Sequence, residues 1–314
     1  MKLSIIVPVY NLENYVSRTL DSLLSIRFSY DYEIIVVNDG STDGSEAVIA
    51  GYQEKNDKIR LITTENGGPS CARNTGIRYA QGQYITFLDG DDTVYPDFFE
   101  EAVAELDAGG YDFVQGNHQE VYEDRVIPRI FAERDLEITG RKKMMELYVD
   151  LSKRKIYDTV WGKVYRGDIV RQVPFNPERT STQDREYNFD VLCIASSAKL
   201  ITAMSVDYYQ RGDSIVHTMS ARKYCNKLKV TEHMLEKNPY PELALPIEDD
   251  YLRLLQEYHF FLCKKKDPQA KAVRKEILKC PIRQLWPRLT PNVRRRLLLY
   301  RFAGPLYEWY LSVK

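Results

Sequence analysis

Cysteine is scarce and badly placed for structural work. The five cysteines, Cys71, Cys193, Cys225, Cys263 and Cys280, are widely spaced, form no C-x-x-C pair and have no histidine at ligand spacing. That excludes a disulfide framework and a zinc site, and it reads as reduced thiols in the cytosol. Long apolar runs are missing too. The stretch Leu3 to Val9 lacks the length and cleavage site of a signal peptide, and no window approaches the roughly 18 apolar residues of a spanning helix. Any membrane contact is therefore expected to be peripheral, with the protein cytoplasmic or on the inner face of the cell membrane. Neither sign of charge dominates: 44 Lys and Arg face 45 Asp and Glu, and 44% of the 314 residues are hydrophobic. This is not the composition of a disordered or histone-like chain. Two phosphate-binding signatures are also absent, G-x-x-x-x-G-K-[ST] and a G-x-G-x-x-G after the first strand. A phosphate ligand is then expected to be held through a metal.

What is present is a rhythm. Leu3 to Val7, Glu33 to Val37, Ile59 to Ile62, Tyr84 to Leu88 and Asp112 to Val114 are short β-rich runs, several apolar on both faces. Between them lie helical patterns at Tyr15 to Leu24, Ala47 to Tyr52, Ala72 to Ala80 and Phe98 to Leu106, with Asp43 and Ser45 placed to cap the second and Pro96 to open the fourth. Strand and helix in alternation predict an α/β fold with a mostly parallel sheet, whose ligand site lies beyond the carboxyl ends of the strands. Residues 118 to 220 lose the rhythm. A strand at Gln119 to Val121 and helices at Arg141 to Leu151 and Arg185 to Ala195 are expected there. From Ala221 onward the chain reads as helical, with a Pro-rich turn at Asn238 to Pro246. The expected organisation is an α/β domain over 1–220, divided at 117, and a helical region over 221–314.

The informative residues sit where strands should stop. One strand runs into Asn38-Asp39-Gly40, another into Asp89-Gly90-Asp91-Asp92. At extended spacing Asp89 and Asp91 would point the same way, and crowded anions call for a cation. Oxygen-only ligands suit Mg²⁺ or Mn²⁺, which keep positions open for substrate phosphates.

These residues resemble glycosyltransferase family 2, the inverting nucleotide-sugar transferases of GT-A fold. The matching segments are SIIVPVYN (4–11), EIIVVNDGSTDGS (33–45), NGGPSCARNTGI (66–77) and GQYITFLDGDD (82–92) followed by Pro96-Asp97. The resemblance implies a GT-A catalytic domain over 1–220, its sheet flanked by helices, with a nucleotide-sugar half over 1–117, an acceptor half over 118–220 and a UDP-sugar donor. It implies that Pro8, Tyr10 and Glu13 line the base and ribose pocket, that Asp39 accepts from a uracil-like imide, and that Arg73 reaches the base or diphosphate. Asp89 would contact ribose or support the metal, Asp91 would bind the metal, and Asp92 would stand behind them. Asp184 matches the family's catalytic base, although Gln183 replaces the usual preceding Glu. Trp161 and Lys163 fall in an acceptor-side segment, Trp161 to stack on a sugar and Lys163 to face phosphate or acceptor. Arg211 and Ser214 would approach the diphosphate, with His217 as a further contact. The Q-x-x-R-W motif and membrane helices of processive members are missing, which favours single-sugar transfer to a glycan or lipid-linked acceptor in bacterial surface polysaccharide or glycoconjugate assembly.

Two other classes stand beside this one. A sugar-phosphate nucleotidylyltransferase would carry a Gly-rich loop after the first strand, where Pro8-Val9-Tyr10-Asn11 stands. A catalytically silent, membrane-associated binding module would fit the replacement at Gln183. Residues 279 to 314 hold eight basic side chains against Glu308 alone, interleaved with aromatics. Such a tail suits an anionic membrane surface, and the alternative is a helix packed on the body or on a second copy in a homo-oligomer. Nucleic acid is not expected, since no recognition motif accompanies the charge.

Overall fold

The computed structural model describes residues 1–150, 154–210, 219–279 and 289–302. The chain divides into two compact units, one of Met1–Tyr148 and Ser152–Ile215, the other of Val149–Leu151 and Val216–Lys314.

The first unit opens with β1 (Leu3–Val9), α1 (Val16–Leu24), β2 (Tyr32–Asp39), α2 (Ser45–Gln53), β3 (Ile59–Thr64), α3 (Pro69–Tyr79), β4 (Tyr84–Phe87), β5 (Thr93–Val94) and α4 (Phe98–Gly109). It continues with β6 (Phe113–Val121), β7 (Val126–Arg129), β8 (Leu136–Thr139), α5 (Arg141–Val149), β9 (Lys163–Arg166), α6 (Gly167–Val170), α7 (Gln183–Ile194) and β10 (Ser197–Tyr209). All ten strands form one sheet, with the path β3-β2-β1-β4-β9-β6-β10-β5 and with β7 on β6 and β8 on β10. β2 is buried along its whole length, as its unbroken apolar run requires of a strand covered on both faces. α1 lays Val16, Thr19, Leu20 and Leu23 into the core at helical spacing. α3 has Pro69 at its start, where no amide is needed, and packs close because Gly76 lies against Ile6, with which a Cβ would collide.

The expected mostly parallel α/β sheet is present, with one departure that matters. β9 runs antiparallel between β4 and β6. A parallel strand delivers the loop that follows it to the carboxyl edge; an antiparallel neighbour delivers the loop that precedes it. The turn at 157–162 therefore reaches the same edge as the loops after β1, β2 and β4.

Some local expectations shift. The strands expected at 112–114 and 119–121 are the two ends of β6. α4 starts at Phe98, two residues beyond Pro96, and the residue preceding α2 is Gly44, although Asp43 does accept from the Ser45 amide at 3.0 Å.

The second unit contains α8 (Ala221–Lys237), a 3-10 turn (Pro241–Leu243), α9 (Ala244–Lys264), α10 (Ala270–Lys279) and α11 (Pro291–Phe302). Pro246, expected in a turn, lies inside the first turn of α9, where its missing amide is tolerated. Leu255, Leu262, Ile277, Leu297 and Tyr300 belong to its core. Among the described residues no helix is long and apolar enough to cross a membrane.

Candidate active site

β2 and β3 leave β1 on one side and β4 joins it on the other, so the strand order reverses between β1 and β4. At such a switch point the flanking loops diverge and open a crevice. The sequence places its carboxylates here, at the ends of β2 and β4.

On the β2 side the geometry is made by backbone. Both carboxylate oxygens of Asp39 accept amides, from Gly67 at 2.9 Å and Gly68 at 2.8 Å. Burial pushes its carboxyl up, against the pull of those two amides. Glu13 accepts the Gly44 amide at 2.9 Å, and its own amide donates to Asp43. This fastens the loop after β1 to the loop after β2. Tyr10 stands beside them 44% exposed, and Pro8 is half-buried in β1.

The β4 side is made of charge. Arg73, on α3 and 3% exposed, donates from Nη1 to Asp184 at 2.9 Å and from Nη2 to Asp89 at 2.7 Å. Its guanidinium joins the two carboxylates, a pairing the resemblance had not implied. Asp184 opens α7, and its Oδ2 takes the Val160 amide at 3.4 Å. Burial raises its carboxyl; Arg73 opposes, Asp89 adds to the rise, and the Val160 amide and Lys163 also oppose. The anion that tunes Asp184 is thus Asp89, not a neighbour at position 183. Gln183 leaves its Oε1 buried without a hydrogen-bond partner.

The extended spacing expected for Asp89 and Asp91 is not what forms. The chain turns, the Asp92 amide donating to the Asp89 carbonyl at 3.1 Å, so the two side chains are not set by strand alternation. Asp92 is fully buried, with Oδ1 on the Tyr209 amide at 2.9 Å and Oδ2 without a hydrogen-bond partner. Burial, then Asp91 and Asp89, hold its carboxyl well above the usual range. Arg18 was not anticipated. From α1 it donates to the Asp91 carbonyl at 2.7 Å and lies 3.4 Å over the Tyr209 ring. A basic residue on an amphipathic helix gives no sequence sign of such a role.

Two acceptor-side expectations are corrected. Trp161 is buried among His118, Tyr157 and Tyr208, so it offers no free face for a sugar. Lys163 has no exposed surface at all, and its ammonium donates to the carbonyls of Tyr157, at 2.9 Å, and Thr159. Burial pushes its pKa down to about 7. Arg211, Ser214 and His217 lie outside the described residues. Among the described residues no group of three or more His, Cys, Asp or Glu is placed to hold a metal ion by itself.

A reversed-order α/β sheet with acidic loops at its switch point and an antiparallel strand set between β4 and β6 is the GT-A arrangement. The family model for glycosyl transferase family 2 matches residues 4–162, just over half the chain, and the chain belongs to that family. The uncharacterized glycosyltransferase EpsJ of Bacillus subtilis is 33% identical over 217 residues, 68% of this chain and 62% of EpsJ. The chain thus spans about three fifths of that relative's length. Among solved structures, Staphylococcus aureus TarS 1-349 in complex with UDP-GlcNAc matches with a TM-score of 0.75 at 20% identity, covering 100% of this chain and 91% of that one. The mannosyltransferase PcManGT from Pyrobaculum calidifontis, in complex with GDP-Man and Mn²⁺, matches at 0.57 and 18% identity, over 99% and 84%. At these identities the two structures share the fold.

Proposed function

We propose that this protein is a metal-dependent, inverting glycosyltransferase that moves a sugar from a UDP-sugar to a hydroxyl of a glycan or lipid-linked acceptor, in bacterial surface polysaccharide or glycoconjugate assembly. The observation that carries the reading is the Arg73 bridge, which joins Asp89, at the end of β4, to Asp184, at the start of α7. A donor-side carboxylate and a base are thereby held in one ion-paired group beside the switch point. The UDP-GlcNAc complex of TarS and the fold it shares with this chain support the donor class.

Tyr10 offers an exposed ring for a base to stack on, Pro8 and Glu13 bound the same pocket, and Asp39 keeps spare lone pairs for an imide N–H after accepting its two amides. Asp184 takes the proton of the acceptor hydroxyl as that oxygen bonds to the anomeric carbon, while the bond from that carbon to the diphosphate oxygen breaks and UDP departs. A half-buried carboxyl pushed upward is better matched to this task than a fully solvated one. Asp91, with Asp89 beside it, fits a Mg²⁺ or Mn²⁺ that needs only one or two carboxylates because donor phosphates complete its shell. Such an ion would neutralise charge on the leaving diphosphate.

Asp184→Asn should bind UDP as the wild type does in calorimetry while losing transfer by about 10²- to 10⁴-fold. Undiminished turnover would remove the base assignment. The exposed face of α11, with Arg295, Arg296, Arg301, Leu298 and Phe302, supports peripheral attachment to an anionic membrane. Arg295→Glu with Arg296→Glu should weaken co-sedimentation with anionic vesicles and leave UDP affinity alone; equal sedimentation would dispose of the membrane contact.

A further inference from the structure

Lys163 is a basic residue with nowhere to put its charge except the protein interior. It begins β9, is wholly buried, and directs its ammonium at the carbonyls of Tyr157 and Thr159 and at the Tyr157 ring, 4.1 Å away. Burying an ammonium is costly, so its partners matter. These partners belong to the turn just before it, and that turn has a second restraint. Asn188, buried on α7, donates Nδ2 to the carbonyls of Asp158 at 2.5 Å and Thr159 at 3.2 Å, and to that of Asp184 at 2.9 Å. Gly162, at φ +69°, closes the turn where a Cβ would collide with the Tyr157 hydroxyl and lie 2.8 Å from Ser205 Oγ. Of the two side-chain donors on the Thr159 carbonyl, Lys163 carries the charge, and charge-assisted bonds are the stronger.

A trans peptide unit is planar, with its C=O and N–H pointing in opposite directions. The Thr159 carbonyl and the Val160 amide belong to one such unit. Holding that carbonyl on the Lys163 ammonium turns the amide the other way, and there it meets Asp184 Oδ2 at 3.4 Å. We infer that Lys163 is a positioning residue: by fixing the Thr159–Val160 peptide it aims the Val160 N–H at the Asp184 carboxylate. The inference rests on the reading of Asp184 as the base only for its catalytic meaning; the geometric link stands apart from it.

The groups facing Asp184 are Arg73 from α3, Asp89 from the end of β4, and Lys163 with the Val160 amide from the β9 side. Those facing Lys163 are Asp158, Asp184 and Arg154, with His118 from β6. An amide donated to a carboxylate favours its ionised form, so losing the aim should raise the Asp184 midpoint.

The test is a titration of the Asp184 carboxyl carbon by NMR in the full chain, assigned by its disappearance in Asp184→Asn. Lys163→Met keeps the length of the side chain and removes the ammonium. Val160→Pro removes the amide while leaving Lys163 and both carbonyls, and it serves if the first variant does not fold. Each should move the midpoint upward by about one unit. The double variant should move it little further than Lys163→Met alone, because the amide is already misdirected. A midpoint unmoved in Val160→Pro, or fully additive shifts, would overturn the inference. If the midpoints move as expected but Asp184→Asn still transfers sugar at the wild-type rate, the base assignment fails and the positioning role of Lys163 remains.

Discussion

Asp39 and Asp184 are both carboxylates whose pKa is raised by burial, yet they are held by opposite means. Asp39 is clasped by two neutral backbone amides, Asp184 by a guanidinium it shares with Asp89. Amides cannot change partner without moving the chain, so the β2 side presents a fixed acceptor. A guanidinium changes partner by rotating a side chain, so the β4 side is a set of charges whose balance depends on every member. The first arrangement suits recognition of an uncharged base, the second the handling of protons and phosphates.

Removing Arg73 breaks the comparison most severely. Arg73→Met would leave Asp89 and Asp184 together without their cation, and loss of one member of a buried ion pair costs about 3–5 kcal/mol. Both carboxylates keep some solvent, at 32% and 20% side-chain exposure, so the lower end is expected in urea unfolding. A loss under 1 kcal/mol would mean that water already screens the group.

The next effect lies in the same charged region. Burial first, then the Lys163 charge, push His118 down to about 4 from its ordinary 6.5. A depressed value means that the unfolded chain binds a proton the folded one refuses. The stability is complete above pH 6.5 and is lost as pH falls toward 4. Between pH 6.5 and 4.5 the wild type should lose roughly 2 kcal/mol more than His118→Phe, which keeps a ring against Trp161 and Tyr157. Parallel stability curves for the two proteins would show that His118 titrates normally.

The smallest effect tests the amide-held side. Asp39→Ala should weaken UDP binding about tenfold, through the lost acceptor and the two amides set loose, with the fold intact. It should leave the Asp184 titration where it was. Movement of both would mean that the two sides are one network.

The two sides were not equally legible in the sequence. β1 to β4 and the loops at their ends could be read because apolar runs followed by Asp and Gly are local signals. The Arg73–Asp184 bridge could not, since it joins residues 111 apart on separate helices and nothing local marks either as the other's partner. Lys163 was expected to face phosphate or acceptor, and no local signal announced that β9 would sit between β4 and β6 with this side chain wholly buried. Asp89 and Asp91 were assigned the alternation of a strand that had already ended, because the turn at 89–92 is fixed by a backbone bond that composition does not announce.

The position of β9 also bears on how the protein is made. β4 is complete at Phe87, but its neighbour on one side does not exist until residues 163–166 have been added. While the chain is still growing on the ribosome, β4 waits with an open, apolar edge for more than seventy residues of synthesis, and β6 waits with it. Such edges pair with whatever strand arrives first. A nascent chain stalled before β9 should therefore be the most aggregation-prone species in this protein's life, and a holdase should engage it in that interval.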